Sequence, residues 1–527
     1  MSVIGSQPKK IIILGGGSAG WMAASLLHKA WAKKGTEILL IESDVINKIG
    51  VGEGSTPSLR LFFKHLGVSE QEWMPQCNAT YKCGISFPGW TNIDDPAYAD
   101  YPAYIHPFYS QADWKTGNAF MHNARLRREG IDVPAHPDDY WLQSYLAKNF
   151  KAPIAFQQLS DEMDYGYHFD SALVGSFLKK RLLSMGLSHL IDTVDDVNLS
   201  DSGQISSILT KSNGAHSADL FIDCTGFAAR LIRQALNVDF IDYSDCLFND
   251  RAVAIQSPID CSKDIPSNTT STALSSGWAW QIPLRNRYGN GYVYSSKYIS
   301  DDAAEQELRE HIGPSCKDKK AKIIKMRLGR VSQHWHKNVL AVGLSQGFIE
   351  PLEATALMLI QHTVESFISS YEDMQAAKRE VIAQQGIYNN QLNEVFESIK
   401  DYIVAHYRLN SRTDSQYWCD NRENKNNSTR LTALLSAWHT PGGDFEAELH
   451  RHNAELTYFA PSWYCLFAGK GHFPPSLNKP SKNTKVAPTA EIIKYCHQVS
   501  QQFYHHNEQL ERVYGDQWPK NVKTEYL

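Results

Sequence analysis

KKIIILGGGSAGWMAASLL, residues 9–27, decides the fold. Ile11, Ile12, Ile13 and Leu14 form a short apolar run bounded by glycines, the pattern of a buried strand. Gly15, Gly17 and Gly20 then give G-x-G-x-x-G, with Ser18 and Ala19 inside the turn. Trp21, Met22, Ala23, Leu26 and Leu27 follow with helical spacing. Strand, glycine turn and helix in that order form the context in which this motif binds a dinucleotide. The glycines permit the tight turn and let backbone N–H groups approach a pyrophosphate at the helix N-terminus. A second strand, Glu37 to Ile41, ends at Glu42, 22 residues beyond Gly20. That is close to the spacing of about 20 at which an acid meets a ribose hydroxyl. The alternative is a glycine-rich turn of purely structural purpose.

The chain has 527 residues, enough for three or four domains or for one large cofactor enzyme of two interleaved modules. A hydrophobic content of 42% supports a packed core. Lys plus Arg number 52 against 57 Asp plus Glu, a net charge of -5, which argues against a nucleic-acid partner. The 13 Trp and 25 Tyr supply material for a pocket around a flat apolar substrate. Nine cysteines are scattered without C-x-x-C or any metal-ligand spacing. Their odd number, with no secretory pattern at the N-terminus, predicts reduced thiols in the cytoplasm. No run of 18 apolar residues occurs, so no membrane span is expected.

Gly50, Gly52 and Gly54 surround Glu53, and Ser55-Thr56-Pro57 follows as a helix start; the glycines read either as a strap across a cofactor or as a flexible loop. Residues 70–165 are rich in aromatics and proline and suggest a pocket-forming insertion. A helix is expected from Ser171 to Leu187, and strands over Ser206 to Lys211 and Ala218 to Asp223. The last ends in Asp223-Cys224-Thr225-Gly226, a strand end that would form a second edge of the cofactor site through Asp223 and Gly226. Residues 250–300 suggest antiparallel strands with a turn from Arg285 to Gly291. Within them, GWAWQIP places Trp278, Trp280 and Ile282 on one strand face, as an ordinary core strand also would. Asn338 to Val342 is a further apolar strand, followed by GLSQGFIEPLEATA, which carries Gly343 and Gly347, and then by a helix. Pro351 is expected near the start of that helix, with Glu353 in the same turn. The N–H groups of Thr355 and Ala356 then favour an anion, while Glu353 alone reads as an acid stabilising the helix dipole. Beyond Ser370 helices dominate.

The glycine fingerprint, the D-x-x-G near 225 and the glycine–acid–proline junction near 350 together resemble an FAD-dependent monooxygenase fold. Trp278-Ala279-Trp280-Gln281-Ile282-Pro283 matches W-x-W-x-I-P, the signature of flavin-dependent tryptophan halogenases. Gly347 to Ala356, GFIEPLEATA, resembles that family's G-F-(I/L)-E-P-L-E-S-T segment, with Ala354 where the family commonly has Ser. Gly50 to Pro57, GVGEGSTP, resembles its flavin strap, and Lys82 falls where it has its catalytic lysine. The fold this implies is α/β. Residues 1–370 would form a discontinuous FAD-binding Rossmann-like domain of the flavin monooxygenase type. Residues 371–527 would form a largely α-helical substrate module.

By the same resemblance, reduced flavin (FADH2) and O2 form a hydroperoxide, and chloride or bromide held by Thr355 and Ala356 attacks it to give hypohalous acid. Lys82 receives the oxidant, by hydrogen bond or as a haloamine, and delivers halogen to an electron-rich ring. Glu353 stabilises the ring cation and accepts its proton. Trp278 and Trp280 keep substrate away from the flavin. His106 and Phe108, in Tyr104-Ile105-His106-Pro107-Phe108, stack on one side of the ring, and Trp463 is the candidate for the other. Residues that would grip the amino-acid backbone of tryptophan are not recognisable around Glu446 to Gly471, which leaves tryptophan, free indole and larger indole compounds open. No nicotinamide site is apparent, so a separate flavin reductase is the expected partner; members of the family often form homodimers. The rival readings are a flavin hydroxylase of the same fold and a non-catalytic dinucleotide-fold binding protein.

Overall fold

Ile11 and Ile13 bury into one hydrophobic cluster while Ile12 and Leu14 bury into another, so the first strand is covered on both faces. Each such side chain taken from water contributes roughly 1.5–3 kcal/mol. The computed structural model describes residues 7–44, 52–157, 162–260, 263–475 and 477–518. In it the strand Lys10–Leu14 lies inside a six-stranded sheet. The order is Trp335–His336, Val339–Ala341, Leu220–Asp223, Lys10–Leu14, Glu37–Glu42, Ser188–Ile191. All neighbours are parallel except the first pair. The helices Ser18–Trp31, Ser171–Ser184 and Ala356–Ala376 pack together on one face. Ile205 and Ile208, from a small antiparallel sheet, pack on the other. The register sets Leu14 beside both Ile41 and Asp223, so three strands end on one line.

A second, seven-stranded sheet runs Lys322–Lys325, Arg251–Pro258, Arg287–Tyr294, Gly277–Pro283, Asn268–Leu274, Gly84–Ser86, Ile105–Pro107. The turn expected from Arg285 to Gly291 is shorter than that, because the strand already resumes at Arg287. Gly291 lies within the strand and beneath the Trp280 indole, where a Cβ would come within 2.1 Å of the ring. Its small size serves packing, not turning.

A three-stranded sheet, Gly52–Gly54, Gly166–Asp170 and Thr80–Lys82, joins the two. The chain leaves it at Lys82 and enters the larger sheet at Gly84. The far end of the chain supports this strand, since the Tyr81 backbone N–H donates to His506 Nε2 at 3.0 Å. Gly50 of the expected strap lies outside the described residues.

The stretch from 70 to 165 holds one long helix, Trp114–Arg128, that its composition did not announce. Beyond 370 come the helices Val381–Arg408, Gln416–Glu423, Thr429–His439, Phe445–Arg451, Ala460–Gly469, Thr489–Ser500 and His506–Tyr514. Among the described residues no helix is long and apolar enough to cross a membrane.

Pro351 and Glu353 do not belong to the first turn of the helix Ala356–Ala376, contrary to the sequence expectation. They form a separate 3-10 turn, Pro351–Glu353, closed by Ala354 at a φ of 58°. A left-handed alanine costs roughly 1–2 kcal/mol. It also breaks the helical path, so Glu353 and the N–H groups of Thr355 and Ala356 can face different spaces.

Candidate active site

The aligned strand ends open onto a cavity of about 780 Å³. Gly15, Gly17, Ser18 and Ala19 form one wall. Gly15 has a φ of 113°, and a Cβ there would meet the Cys224 carbonyl at 2.2 Å. Only glycine allows that approach. Gly17 faces open space, with nothing within 4 Å of where a Cβ would stand. Glu42 lines the edge, where its Oε1 accepts from Lys179 Nζ at 2.7 Å and lies 3.1 Å from His189 Nε2. Gly52, Glu53, Gly226, Gly343 and Gly347 complete this end. Burial above all pushes the Glu53 carboxyl up to about 7.

Two expected contributors stand behind the wall. Gly20 lies under the turn, where a Cβ would be 1.9 Å from the Gly15 carbonyl oxygen, so its task is close packing of helix on strand. Asp223 is fully buried and accepts from the backbone N–H groups of Thr225, Leu231 and Ile232 and from the Thr225 hydroxyl. It holds the loop that carries Gly226.

The other end of the cavity is lined by Thr355, Ala356, Trp278, Trp280 and Lys82. Thr355 caps the helix Ala356–Ala376, so the first N–H groups there have no intrahelical acceptor and favour an anion. Lys82 is fully buried, and its Nζ has no hydrogen-bond partner among the described residues. Burial pushes its amine down to about 7, opposed by the charge of Glu353. Nζ lies 5.4 Å from the centroid of the Phe108 ring, which does not line the cavity.

Glu353, His106, Phe108 and Trp463 lie outside the cavity wall and form a second group beyond Lys82. Glu353 Oε1 lies 2.8 Å from His406 Nε2, and Oε2 lies 3.5 Å from His106 Nδ1. Burial raises its carboxyl to about 8, with Lys82 and Lys470 pulling the other way. Burial holds both histidines neutral, His106 down to about 3. His106 Nε2 bonds the Tyr402 hydroxyl at 3.1 Å, and that hydroxyl donates to the Ser462 carbonyl. Tyr402 stacks on Tyr458 at 3.7 Å, and Trp463 meets Tyr402 edge to face at 4.8 Å.

A sequence profile described as Tryptophan halogenase matches residues 10–485. The chain belongs to the tryptophan halogenase family. It is 36% identical over 482 residues to the 7-chloro-L-tryptophan 6-halogenase of Kutzneria sp., covering 88% of this chain and 90% of that one. It is 38% identical over 436 residues to the tryptophan 6-halogenase of Streptomyces toxytricini, covering 79% and 81%. The solved structure of a flavin-dependent halogenase from Xanthomonas campestris superposes with a TM-score of 0.82 at 30% identity, over 96% of this chain and 99% of that one.

FAD, the cofactor this halogenase family implies, fits the residues present. A glycine turn opens onto a long cavity, three strand ends meet it, and an unpartnered buried amine stands at its far end.

In this halogenase the two signature segments are physically joined. Trp278 Nε1, Asn249 Nδ2 and the Tyr407 hydroxyl all donate to Glu350 Oε2, at 2.8, 2.9 and 2.5 Å. Sequence reasoning missed Glu350, Asn249 and Tyr407, and also His406, Tyr402 and Tyr458. His406 and Tyr402 stand one turn apart on the helix Val381–Arg408. Their i, i+4 spacing was readable, but which face of that helix met Glu353 was not.

Proposed function

We propose that this halogenase transfers chlorine or bromine to an electron-rich aromatic ring of the indole type, tryptophan or indole, using FADH2 and O2. The observation that carries the proposal is Lys82 Nζ, unpartnered, at the wall of the cofactor cavity and 5.4 Å from the centroid of Phe108, which lies outside that wall. Curated relatives that act on tryptophan support the substrate class.

FAD would lie against Gly15, Gly17, Ser18, Ala19, Glu42, Gly52, Glu53, Gly226, Gly343 and Gly347, and with O2 it supplies the oxidation that turns halide into hypohalous acid. The N–H groups of Thr355 and Ala356 hold the halide. Trp278 and Trp280 form a wall that keeps the ring from the flavin.

The Lys82 amine, brought near neutrality by burial, takes the halogen from hypohalous acid. In the covalent form N–H becomes N–X and water leaves; in the hydrogen-bonded form the ammonium donates to the hypohalous oxygen. The ring's electron pair then takes the halogen. The ring C–H proton passes to Glu353, the C–H pair returns to the ring, and the lysine nitrogen regains its proton. His106 and Phe108 orient the ring on one side, with Trp463 and Tyr402 behind. Residues 1–370 then carry cofactor and oxidant, and residues 371–527 carry most of the far wall. A separate flavin reductase supplies FADH2.

The test is mass spectrometry of product formed with a flavin reductase, FAD, NADH, oxygen and mixed chloride and bromide, offered tryptophan and indole in parallel. A halogen isotope pattern on either product is expected. A product heavier by one oxygen atom makes the protein a hydroxylase and overturns the proposal.

A further inference from the structure

The three-stranded sheet pairs His168 with Gly54 on one side and with Thr80 on the other. Side chains alternate along a strand and paired residues share a face, so Thr80, Lys82 and His168 point the same way. Gly54 leaves room on that face. From the point where its Cβ would stand, Lys82 Nζ is 3.1 Å away, Thr269 Oγ1 3.3 Å and His168 Cδ2 3.6 Å. Lys82, Gly54 and Thr269 line the cofactor cavity, and the fully buried His168 stands behind that wall. Nothing in the halogen-transfer chemistry above uses Thr269 or His168.

Each proton on this face has one place to go. Thr80 Oγ1 donates its hydrogen to the Pro283 carbonyl at 2.7 Å. The same oxygen lies 3.1 Å from His168 Nδ1. With its own proton committed it can only accept there, so Nδ1 carries a hydrogen. Burial above all, helped by the neighbouring Lys82 and His506, holds His168 neutral. A neutral imidazole has a single N–H, so Nε2 is bare. Thr269 Oγ1 lies 3.0 Å from Nε2 and therefore donates to it. The carbonyl that ends the strand Gly277–Pro283 thus sets the direction of every bond as far as Thr269. The Thr269 hydroxyl has only lone pairs left to offer the cavity. Ser271, two residues on and also at the wall, has no hydrogen-bond partner among the described residues to commit its proton.

An enforced acceptor beside an amine has a consequence for hypohalous acid, which presents either an O–H or a halogen. A neutral amine accepts hydrogen bonds, so left alone it draws the O–H and leaves the halogen facing away. With the O–H given to Thr269, the halogen is the end turned to Nζ. The nitrogen lone pair then forms N–X, the O–X pair goes to oxygen, and one amine proton follows to make water. That water keeps an O–H for Thr269, so the hydrogen bond survives the transfer.

We propose that Thr269 is a further catalytic residue, held as an acceptor by His168, that takes the O–H of hypohalous acid and turns the halogen toward Lys82. This rests on the reading of Lys82 as the amine that receives halogen.

Two measurements test it. Nitrogen-15 NMR of the intact FAD-loaded chain with labelled histidine, the signal assigned by its loss in H168Q, reads which nitrogen of His168 carries the proton. A protonated Nδ1 and a bare Nε2 are expected near neutral pH. A proton on Nε2 overturns the proposal, because Thr269 would then accept from the imidazole and turn its own hydrogen to the cavity. The second measurement follows the oxidant in T269V, with flavin reductase, FAD, NADH, oxygen, bromide and tryptophan or indole. Halogenated product per FADH2 oxidised is expected to fall on the order of tenfold, about the worth of one hydrogen bond. Oxidised bromine captured in solution by a β-diketone scavenger should rise to match, and T269S should restore both. An unchanged yield in a folded variant, or product lost with no oxidant released, overturns the proposal. If T269V does not fold, T269A is read in the same way. The NMR measurement needs no turnover, so it decides the orientation of Thr269 even if the wild-type chain fails to halogenate.

Discussion

Trp278 Nε1 donates to Glu350 Oε2 across 2.8 Å, binding the tryptophan-bearing strand to the residue that opens the turn Pro351–Glu353. Glu350 is fully buried, and its carboxyl is pushed up by burial while three donors hold it down. Glu350→Leu therefore strands the donors of Trp278, Asn249 and Tyr407 together. At about 1–3 kcal/mol for each buried donor left without an acceptor, a loss of at least ~3 kcal/mol is expected, read by denaturant unfolding. A loss under 1 kcal/mol would show that the three donors find other partners.

Lys82→Ala is expected to lower halogenation by at least about a hundredfold while oxygen still consumes FADH2. The comparison is halogenated product by mass spectrometry against flavin reoxidation by absorbance. Normal product yield from the variant removes Lys82 from the chemistry.

Glu353→Gln keeps the shape of the side chain but removes the base. General-base contributions run to about 10²–10⁴-fold, and a fall of that size in kcat, with KM for the aromatic little changed, is expected from steady-state assays.

The pH profile has a definite sign. The Lys82 amine is nucleophilic only when neutral, and burial brings it down to about 7. Glu353 accepts a proton only when ionised, and burial raises it to about 8. Both requirements fail on the acid side, so halogenation rises from pH 6 to pH 9 in buffered rate measurements. A rate that falls across that window contradicts these assignments. The covalent route is the one tested, because the hydrogen-bonded route needs the ammonium and favours the acid side of Lys82.

Gly17 and Gly20 separate two tasks within one motif. A methyl group at Gly17 meets nothing within 4 Å, whereas at Gly20 it would lie 1.9 Å from the Gly15 oxygen. Gly17→Ala should melt like the parent and bind FAD about tenfold more weakly, roughly 1.4 kcal/mol. Gly20→Ala should lower the melting temperature itself. Flavin fluorescence titration and thermal melts distinguish them.

The strand, glycine turn and helix of residues 9–31 are legible because local spacing specifies them and both faces of the strand are apolar. Lys82 and Glu353 are legible only through motifs, since nothing in their local pattern marks a buried lysine or a buried base. Their neighbours His406, Tyr402 and Tyr458 come from elements remote in sequence, and which helix face they occupy is set by tertiary packing. The turn at 285–291 reads too long because Gly291 looks the same in sequence whether it bends a chain or makes room for an indole. Pro351 reads as part of the helix that follows because a left-handed alanine leaves no compositional trace.

His506 accepts the Tyr81 N–H across a separation of 425 residues. During synthesis on the ribosome, the strand that ends in Lys82 has to wait for almost the whole polypeptide before that bond can form. Closing so distant a contact costs loop entropy that local structure does not repay, and topologies built on such contacts fold slowly. The lysine is therefore seated late, after every strand of both large sheets has been synthesised.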